Sequence, residues 1–424
     1  MSGEKILLIS DSIEGPTGFG VNGANIAWCL AKEYEVHVLG LQSLKDAEIT
    51  LKAKGDERTV IEHANVPRRG EIDFGERSLP RLLNQIKPDL LMTINDIQCV
   101  QYIPSVLYPA EIKLRILDMP SRKLRSLEEL KMELEAIFDR FREKYPPKLR
   151  WVMYAPQDGQ PPIPEWLMTY YACDEVVAMS KYGQEIFLKW FMLPVDYIYH
   201  AVDTDLFIPR EKPDNLKDYF VIGDINRNQP RKQPIRLIEA FAKFAKDKDD
   251  VRLWLQKDWN DVYGWPLLYF VRTVYNIEDK VIPPRPYGIS RAEVARIYSC
   301  WDLNAMPTAG EGFGLPIIEA GSCGIPTVAT DYTTPKELII DGEPSPRGKL
   351  VPYVTLYWDK PDVAAPQRAL IDTDKLAEAF QYYYENRDEL KRHGENAREW
   401  AKRNVDLLVI QKQWLKKVKE VLNK

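Results

Sequence analysis

The sequence predicts an α/β protein with two domains, each built on a parallel sheet, from three observations. The chain has 424 residues, which suits two domains of roughly 200 residues each better than one core. Short apolar runs alternate with stretches whose apolar residues recur at helical spacing, as parallel strands with crossover helices require. A proline- and charge-rich passage near the middle of the chain separates two such series.

The first series predicts an N-terminal domain over residues 1–201. It opens with a strand at Lys5–Ser10, a glycine-bearing loop, and a helical stretch at Ala24–Tyr34. Further apolar runs rich in β-branched residues predict strands at VHVLGL, DLLMTI, LRILDM, WVMYA and EVVAMS.

The second series predicts a C-terminal domain over residues 219–400, after a linker at 202–218. Its candidate strands are YFVIGDI, VRLWLQ, DLNAM and IPTVAT. We expect the amphipathic helix at 401–424 to pack back toward the first domain, because its apolar residues fall on one face. Ligands of such sheets bind beyond the carboxyl ends of the strands, so the expected site is a cleft between the two domains.

Composition and charge disfavour several other classes of function. The net charge is −5 with no long basic tract, so nucleic acid is not an expected partner. The start MSGEKILLIS lacks the pattern of a secretory signal and no long apolar run is visible, which predicts a cytoplasmic protein. The amphipathic stretch Leu127–Tyr145 has more acidic than basic residues, so packing is favoured over peripheral membrane contact. The five cysteines lie far apart and predict buried thiols.

The segment from Glu311 to Glu319 carries the strongest chemical signal. Glu311 follows the strand DLNAM, and a Gly-Phe-Gly turn then leads into a helix on which Glu319 lies two turns, roughly 12 Å, further along. The N–H groups of Gly312 and Gly314 at a helix N-terminus suit a diphosphate or a sugar hydroxyl. A carboxylate beside them accepts hydrogen bonds from sugar hydroxyls. The competing interpretation, an acidic first turn that favours the helix dipole, leaves the glycines unexplained.

Three cations follow the candidate strand YFVIGDI. Arg227, Arg231 and Lys232 stand beyond its carboxyl end, where positive charge stabilises a diphosphate as it leaves. The alternative is that these side chains are merely solvated at the start of a helix.

The segment from Gly18 to Gly23 fits the dinucleotide-binding pattern G-x-G-x-x-G, so a nicotinamide enzyme is a rival interpretation. Two details disfavour it. The residues Asp11 to Thr17 separate the strand from the first glycine, and VHVLGLQ ends without the acidic residue that holds an adenosine ribose. A loop that faces phosphate remains compatible with the pattern.

These segments resemble the retaining GT-B glycosyltransferases of family four, the glycosyl transferases group 1. The resemblance lies in EGFGLPIIEAGSCGIPTVAT, VIGDINRNQPRKQPIRLIEAFAKFA and YHAVDTDLF, and more loosely in YACDEVVAMSKYG and TGFG. It implies two Rossmann-like domains that face each other across a cleft. It also implies transfer of a hexose from a nucleoside diphosphate sugar, with retention, to a carbohydrate, lipid-linked or protein acceptor. No metal or other cofactor is expected beside that co-substrate.

The resemblance also implies roles for individual residues. By it, Glu311 holds the hydroxyls of the donor sugar, Glu319 holds the ribose, and Arg227 with Lys232 holds the diphosphate. The further donor contacts that it implies are Gly18, Phe19, Gly20, Gly312, Phe313, Gly314 and Leu315.

The first domain departs from the family pattern. Many members have a histidine after a first-domain strand, but KPDLLMTINDIQ has none. Asp96 at that strand end and Asp158 in YAPQDGQPP are candidates to bind acceptor hydroxyls or act as base, and each is equally a candidate loop cap. Whether the donor carries guanine or uracil stays open.

Two Asp-Thr-Asp sequences resemble the metal-binding triplet of the other major glycosyltransferase fold. We assign the first, at 203–205, to the linker. The second, at 372–374, is placed to cap a helix.

Three alternatives to a glycosyltransferase remain open: two catalyse a different reaction and one is not an enzyme. A GT-B sugar-nucleotide epimerase or hydrolase would share the scaffold, a dehydrogenase would bind nicotinamide, and a sugar-binding subunit would not catalyse.

Overall fold

The computed structural model describes residues 3–66, 73–108, 127–144, 149–162, 166–286, 288–359 and 366–423. These fall into two compact units. The first holds residues up to 201 together with those from 407 onward, and the second holds residues 202–359 and 366–406. Each unit is built on a largely parallel sheet, so the predicted α/β class is confirmed.

The strands, numbered along the chain, account for most of the apolar runs recognised in the sequence. They are β1 (Lys5–Ser10), β2 (Glu35–Gly40), β3 (Ala47–Ala53), β4 (Asp56–Ala64), β5 (Leu90–Ile94), β6 (Arg150–Ala155), β7 (Glu175–Ala178), β8 (Asp196–Tyr197), β9 (Phe220–Ile225), β10 (Val251–Gln256), β11 (Val281–Ile282), β12 (Leu303–Met306), β13 (Thr327–Thr330), β14 (Gly348–Val351), β15 (Tyr353–Trp358) and β16 (Gln367–Ile371). The strand predicted at LRILDM lies outside the described residues.

The helices follow the strands in the alternation that a parallel sheet requires. They are α1 (Gly18–Leu30), α2 (Ser78–Ile86), α3 (Ile103–Leu107), α4 (Leu127–Lys144), α5 (Leu167–Ala172), α6 (Lys181–Phe191), α7 (Pro234–Phe244), α8 (Leu267–Tyr269), α9 (Arg291–Tyr298), α10 (Leu315–Ser322), α11 (Pro335–Ile339), α12 (Thr373–Glu385), α13 (Arg387–Asn404) and α14 (Leu407–Leu422). Among the helices described, none combines the length and the apolar composition needed to cross a bilayer.

The sheet of the first unit has eight strands in the order β3-β4-β2-β1-β5-β6-β7-β8. The β3–β4 pair is antiparallel and the remaining pairs are parallel. Consecutive residues of β1, such as Leu7 and Leu8, are fully buried, so both faces of the central strands are covered.

The sheet of the second unit has six parallel strands in the order β11-β10-β9-β12-β13-β14. The separate β15–β16 pair is antiparallel and lies between β14 and α12 in the chain. Asp372 accepts hydrogen bonds from the N–H groups of Asp374 and Lys375 and so caps α12, as expected for the second Asp-Thr-Asp sequence. In the first, Asp203 accepts from the backbone N–H of Asp205.

Two of the five cysteines are less buried than predicted. Cys29, Cys173 and Cys323 are buried free thiols, as predicted, whereas Cys99 and Cys300 are free but only half-buried. Cys99 lies between β5 and α3, and Cys300 lies between α9 and β12.

The helix α14 belongs to the first unit, where Trp414 packs edge-on against Tyr154 of β6 at 4.8 Å between ring centroids. The Tyr154 hydroxyl donates to the carbonyl of Ile198 at 2.6 Å and lies 2.9 Å from Nδ1 of His200. His200 is therefore a structural side chain.

The stability of the first unit is expected to fall in mild acid because of His200. Burial lowers the pKa of His200 to about 3, whereas an unfolded histidine titrates near ~6.5. Between these values the unfolded state binds a proton that the folded state lacks, so the contribution of His200 is present above pH ~6.5 and is lost as the pH falls. When the pH falls from 7 to 5, the free energy of unfolding of the wild type should decrease by about 2 kcal/mol more than that of His200→Gln, as measured by urea denaturation. An equal loss in both proteins would contradict this assignment.

Candidate active site

The carboxyl ends of four neighbouring strands meet at one edge of the second sheet. The strands β10, β9, β12 and β13 are adjacent and parallel. The residues that follow them include Lys257, Arg227, Glu311 and Thr333, respectively. This edge is where open parallel sheets bind ligands.

Glu311 is the centre of a compact group of charges. Its side chain is 7% exposed, and its Oε1 accepts a hydrogen bond from Nζ of Lys232 at 2.5 Å. Its Oε2 lies 3.4 Å from a guanidinium nitrogen of Arg231. Burial by itself raises the pKa of Glu311, but the charges of Lys232 and Arg231 outweigh it and lower the pKa to about 2. Glu311 is therefore an ionised acceptor of hydrogen bonds throughout the neutral range.

The backbone around Glu311 is fixed by the loop after β13. The N–H of Glu311 donates to Oγ1 of Thr333 at 2.9 Å, and its carbonyl accepts from Oγ1 of Thr334 at 2.8 Å. Gly314 has φ +106 and immediately precedes α10, a left-handed conformation that favours glycine. The turn therefore ends at Gly314, and Glu311 lies in the loop before α10, whereas Glu319 lies in the helix. The separation of roughly 12 Å that helical rise predicts between Glu311 and Glu319 therefore does not apply, because only Glu319 lies on the helix.

Arg231 contributes to this group in two ways. Its guanidinium donates to the carbonyl of Gly310 and pairs with Glu311. Its own carbonyl accepts from the N–H of Ala309 at 2.7 Å. Arg231 therefore holds the residues immediately before Glu311 as well as balancing the charge of Glu311.

Arg227 is more exposed than the other two cations. Its Nε donates to Oδ2 of Asp261 at 2.9 Å, and 57% of its side chain is exposed. The guanidinium lies 5.8 Å from the ring centroid of Tyr263. More than half of the Arg227 side chain is exposed, so an anionic ligand can approach its guanidinium.

Two buried amide side chains fix the segment that carries these cations. Asn228 donates to the carbonyl of Trp265 at 2.8 Å and accepts from the N–H of the same residue at 3.1 Å. Gln233 donates to the carbonyl of Ala369 at 2.9 Å and accepts from the N–H of Ile371 at 3.2 Å. We call these the Asn228 clamp and the Gln233 clamp.

A buried ion pair lies at the ends of β9 and β10. Nζ of Lys257 bonds to Oδ2 of Asp224 and, at 2.8 Å, to Oδ1 of Asn226. The side chains of Lys257 and Asp224 are 0% and 1% exposed. Burial raises the pKa of Asp224, and the charge of Lys257 opposes that shift. The charge of Lys232 also opposes the raised pKa of Asp224, so the ion pair is electrostatically linked to the Glu311 group.

Glu319 lies in α10, where it is buried and contacts two side chains of α9. Its Oε1 accepts from Arg291, and its Oε2 accepts from the Tyr298 hydroxyl at 2.9 Å. Burial raises the pKa of Tyr298, and the charge of Glu319 raises it further, so the hydroxyl remains a donor. A carboxylate oxygen has more than one acceptor position, so these bonds leave capacity for hydroxyls of a ligand.

The predicted glycine loop of the first unit is helical. Gly18, Phe19 and Gly20 form the first turn of α1, and Oγ1 of Thr17 caps it by accepting from the N–H of Gly20 at 3.0 Å. The Thr17 hydroxyl in turn donates to Oδ2 of Asp11 at 2.6 Å. This local network corrects the expectation of a loop, because it starts the helix at Gly18. The N-terminus of α1 still follows β1 at the carboxyl edge of the first sheet.

The two candidate aspartates of the first unit follow neighbouring strands. Asp96 follows β5 and is exposed, and its carbonyl accepts from the N–H of Cys99 at 2.9 Å. Asp158 follows β6 and is half-buried. Since β5 and β6 are adjacent and parallel, both aspartates lie at the same edge of the first sheet.

Sequence reasoning missed several of these residues, although some signals were present. Lys257 follows β10 as Arg227 follows β9, so the rule about strand ends applies equally to it. Asp261 and the two clamps carried no local signal, because their partners are 34 or more positions away in the chain.

Comparison with known proteins supports the resemblance in the second unit. Residues 208–354 match the family model described as glycosyl transferases group 1, which confirms the resemblance over those residues. The D-inositol 3-phosphate glycosyltransferase of Mycobacterium sp. (strain KMS) is 30% identical over 145 residues, which are 32% of this chain and 31% of that protein. The GDP-mannose-dependent alpha-(1-6)-phosphatidylinositol monomannoside mannosyltransferase of Mycolicibacterium smegmatis is 28% identical over 191 residues, 40% of this chain and 47% of that protein. The matches thus span about a third to a half of these relatives.

Solved structures match over almost the whole chain. Sucrose-phosphate synthase of Thermosynechococcus elongatus has a TM-score of 0.67 at 18% identity and covers 99% of both chains. HepE of Anabaena, solved with UDP and glucose, has a TM-score of 0.63 at 18% identity and covers 98% of this chain and 99% of that one. At this identity the likeness concerns the fold, and it confirms the predicted GT-B class.

Proposed function

We propose, from the premise that residues 208–354 belong to the glycosyl transferases group 1 family, that the whole protein is a retaining glycosyltransferase. It moves a hexose from a nucleoside diphosphate sugar to an acceptor. The observation that carries this proposal is the ion pair between the buried Glu311 and the partly buried Lys232 at the carboxyl edge of the second sheet. Such a pair offers an ionised carboxylate for sugar hydroxyls beside cations for a diphosphate.

The proposed donor contacts follow from the environment of each group. Glu311, with its lowered pKa, accepts from hydroxyls of the donor sugar. Lys232 and the exposed guanidinium of Arg227 contact the diphosphate. Glu319 accepts from the ribose hydroxyls. Gly312 to Leu315 supply backbone N–H groups at the start of α10. Gly18, Phe19 and Gly20 contribute from the first turn of α1.

In the proposed reaction the bond between the anomeric carbon and the diphosphate oxygen breaks while the acceptor oxygen attacks the same face. The acceptor proton passes to the leaving diphosphate oxygen. Lys232, Arg231 and Arg227 stabilise the negative charge that develops on that oxygen, and a fixed cation does so without reorganising. This supply of positive charge supports a reaction that needs no metal ion.

The acceptor is proposed to bind the first unit, where Asp96 and Asp158 lie at one sheet edge. Their carboxylates accept hydrogen bonds from acceptor hydroxyls or take part in proton transfer. The relatives differ in their named substrates, an inositol phosphate in one and a phosphatidylinositol mannoside in the other, so a carbohydrate, a lipid-linked sugar and a protein all remain candidates. The location proposed is the cytoplasm.

A ligand panel tests the proposal through thermal stability. Ligands that bind only the folded protein raise Tm, and at 100 times Kd the gain of ~2.7 kcal/mol corresponds to about 5 to 10 °C for a unit of this size. We expect UDP or GDP to raise Tm, and UDP-glucose or GDP-mannose to raise it further. Slow transfer of the sugar to water should also release free UDP or GDP from these two sugar nucleotides. The Glu311→Gln variant should keep the shift caused by the free nucleotide and lose the additional shift caused by the sugar.

Other outcomes of this panel would overturn the proposal. A shift with NAD or NADH alone would favour a dehydrogenase. An altered free sugar together with rapid nucleotide release, without an acceptor, would favour an epimerase or hydrolase. Binding of sugar without any turnover would favour a sugar-binding subunit.

A further inference from the structure

Gln233 lies between the proposed diphosphate contact Lys232 and the first residue of α7. Its backbone has φ +48, in the left-handed region that residues with a side chain seldom adopt. Such a conformation persists where the surroundings fix it, and it is concentrated at functional sites. The direction in which the chain leaves Lys232 therefore depends on what holds Gln233.

The Gln233 clamp provides that hold. The side chain is 5% exposed, and its amide uses both ends, donating to the carbonyl of Ala369 and accepting from the N–H of Ile371. Both partners belong to β16, a strand far along the chain from Lys232. A buried amide with both ends satisfied has one strongly preferred orientation, because any rotation leaves a polar group unpaired.

The same strand also reaches the Glu311 side of the group. The N–H of Ala369 donates to the carbonyl of Ala309 at 3.0 Å, and the N–H of Ala309 donates to the carbonyl of Arg231 at 2.7 Å. The strand β16 is thus bonded directly to both chain segments that carry the Glu311–Lys232 pair. Its backbone and amide contacts therefore help to fix the distance between these segments, in addition to the bonds that Arg231 makes between them.

We infer that Gln233 is a positioning residue of this site, through which β16 holds Lys232 at the place of the departing diphosphate. The inference rests on the proposed function and deepens it. Lys232 itself touches the donor, whereas Gln233 acts only through Lys232. Loss of the clamp should therefore weaken stabilisation of the transition state more than binding of the free nucleotide.

The variant Gln233→Gly tests this inference, because it removes the amide together with the rest of the side chain, while glycine adopts the left-handed conformation without strain. We expect kcat for release of UDP or GDP from the sugar nucleotide to fall by about 10- to 100-fold, which is the effect of displacing a catalytic group by about 1 Å. The Kd of UDP or GDP should change by less than about threefold. Gln233→Leu, which fills a similar volume, should behave in the same way.

A matched control separates positioning from stability. Gln411 of the first unit is also buried, and its amide donates to the carbonyl of Cys29 at 3.4 Å. We expect Gln411→Leu to lower Tm without changing kcat. Wild-type kcat in Gln233→Gly, or an equal loss of kcat in Gln411→Leu, would overturn the inference. If the wild type neither binds a nucleotide nor releases one from a donor sugar, the proposed function itself has failed, which is a separate result.

Discussion

Replacing Lys232 with methionine is expected to lower nucleotide release from the donor by about 10²- to 10³-fold, the effect typical of removing one charged donor from a developing oxyanion. It should also lower the free energy of unfolding of the second unit by about 3 to 5 kcal/mol, because it removes one partner of a buried pair. Within the described part of the chain, the carboxylate of Glu311 would then keep Arg231, at 3.4 Å, as its cationic neighbour.

The double variant Lys232→Met with Glu311→Gln separates the two effects. Removing both charges means that no buried carboxylate is left without Lys232, so we expect most of the stability to return in urea denaturation while turnover stays low. Lys375→Ala is the matched control, because Lys375 is exposed and pairs with Glu378 on the surface. That control should change stability by less than about 0.5 kcal/mol. Turnover at the wild-type level in Lys232→Met would remove Lys232 from the proposed mechanism.

Replacing Lys257 with methionine is expected to destabilise the second unit by about 3 to 5 kcal/mol, since it leaves Asp224 charged and buried without its ionic partner. The destabilisation caused by Lys257→Met should be smaller at pH 5 than at pH 7. Burial raises the pKa of Asp224 even beside Lys257, and without Lys257 the pKa rises further. The folded variant then binds a proton more readily than the unfolded chain, which stabilises it in acid.

Urea denaturation at both pH values measures this effect. The double variant Asp224→Asn with Lys257→Met should recover most of the loss at pH 7 and show a smaller dependence on pH. A single Lys257→Met variant that is as stable as the wild type would mean that the pair contributes nothing to folding.

The parts of the site that the sequence predicted are those with a local signal. Glu311, Arg227 and Lys232 each follow an apolar run, and the position of a residue after a parallel strand predicts the sheet edge at which it lies. The apolar runs themselves were recognised because consecutive buried residues, as in β1 and β9, leave an uninterrupted hydrophobic stretch.

The parts that were missed depend on pairing between distant segments. Asp224 and Lys257 are 33 positions apart and meet only because β9 and β10 are neighbours in the sheet. The β15–β16 pair was not recognised, because exposed residues dominate β15 and no buried run marks it. A loop was predicted at Gly18 to Gly20 because they fit the glycine-rich pattern and the helical spacing begins only at Ala24, whereas the Thr17 cap starts the helix at Gly18.

The two clamps have a practical consequence for protein engineering. The segment from Arg227 to Gln233 is held from outside as well as by its own turns, because the Asn228 clamp bonds it to Trp265 and the Gln233 clamp bonds it to β16. A chimera that exchanges this segment for one without these two amides would remove the side-chain partners of four backbone groups, two on Trp265 and two buried groups on β16. The three stretches of chain therefore form one exchangeable module, and a graft designed to change donor preference has to carry all three together.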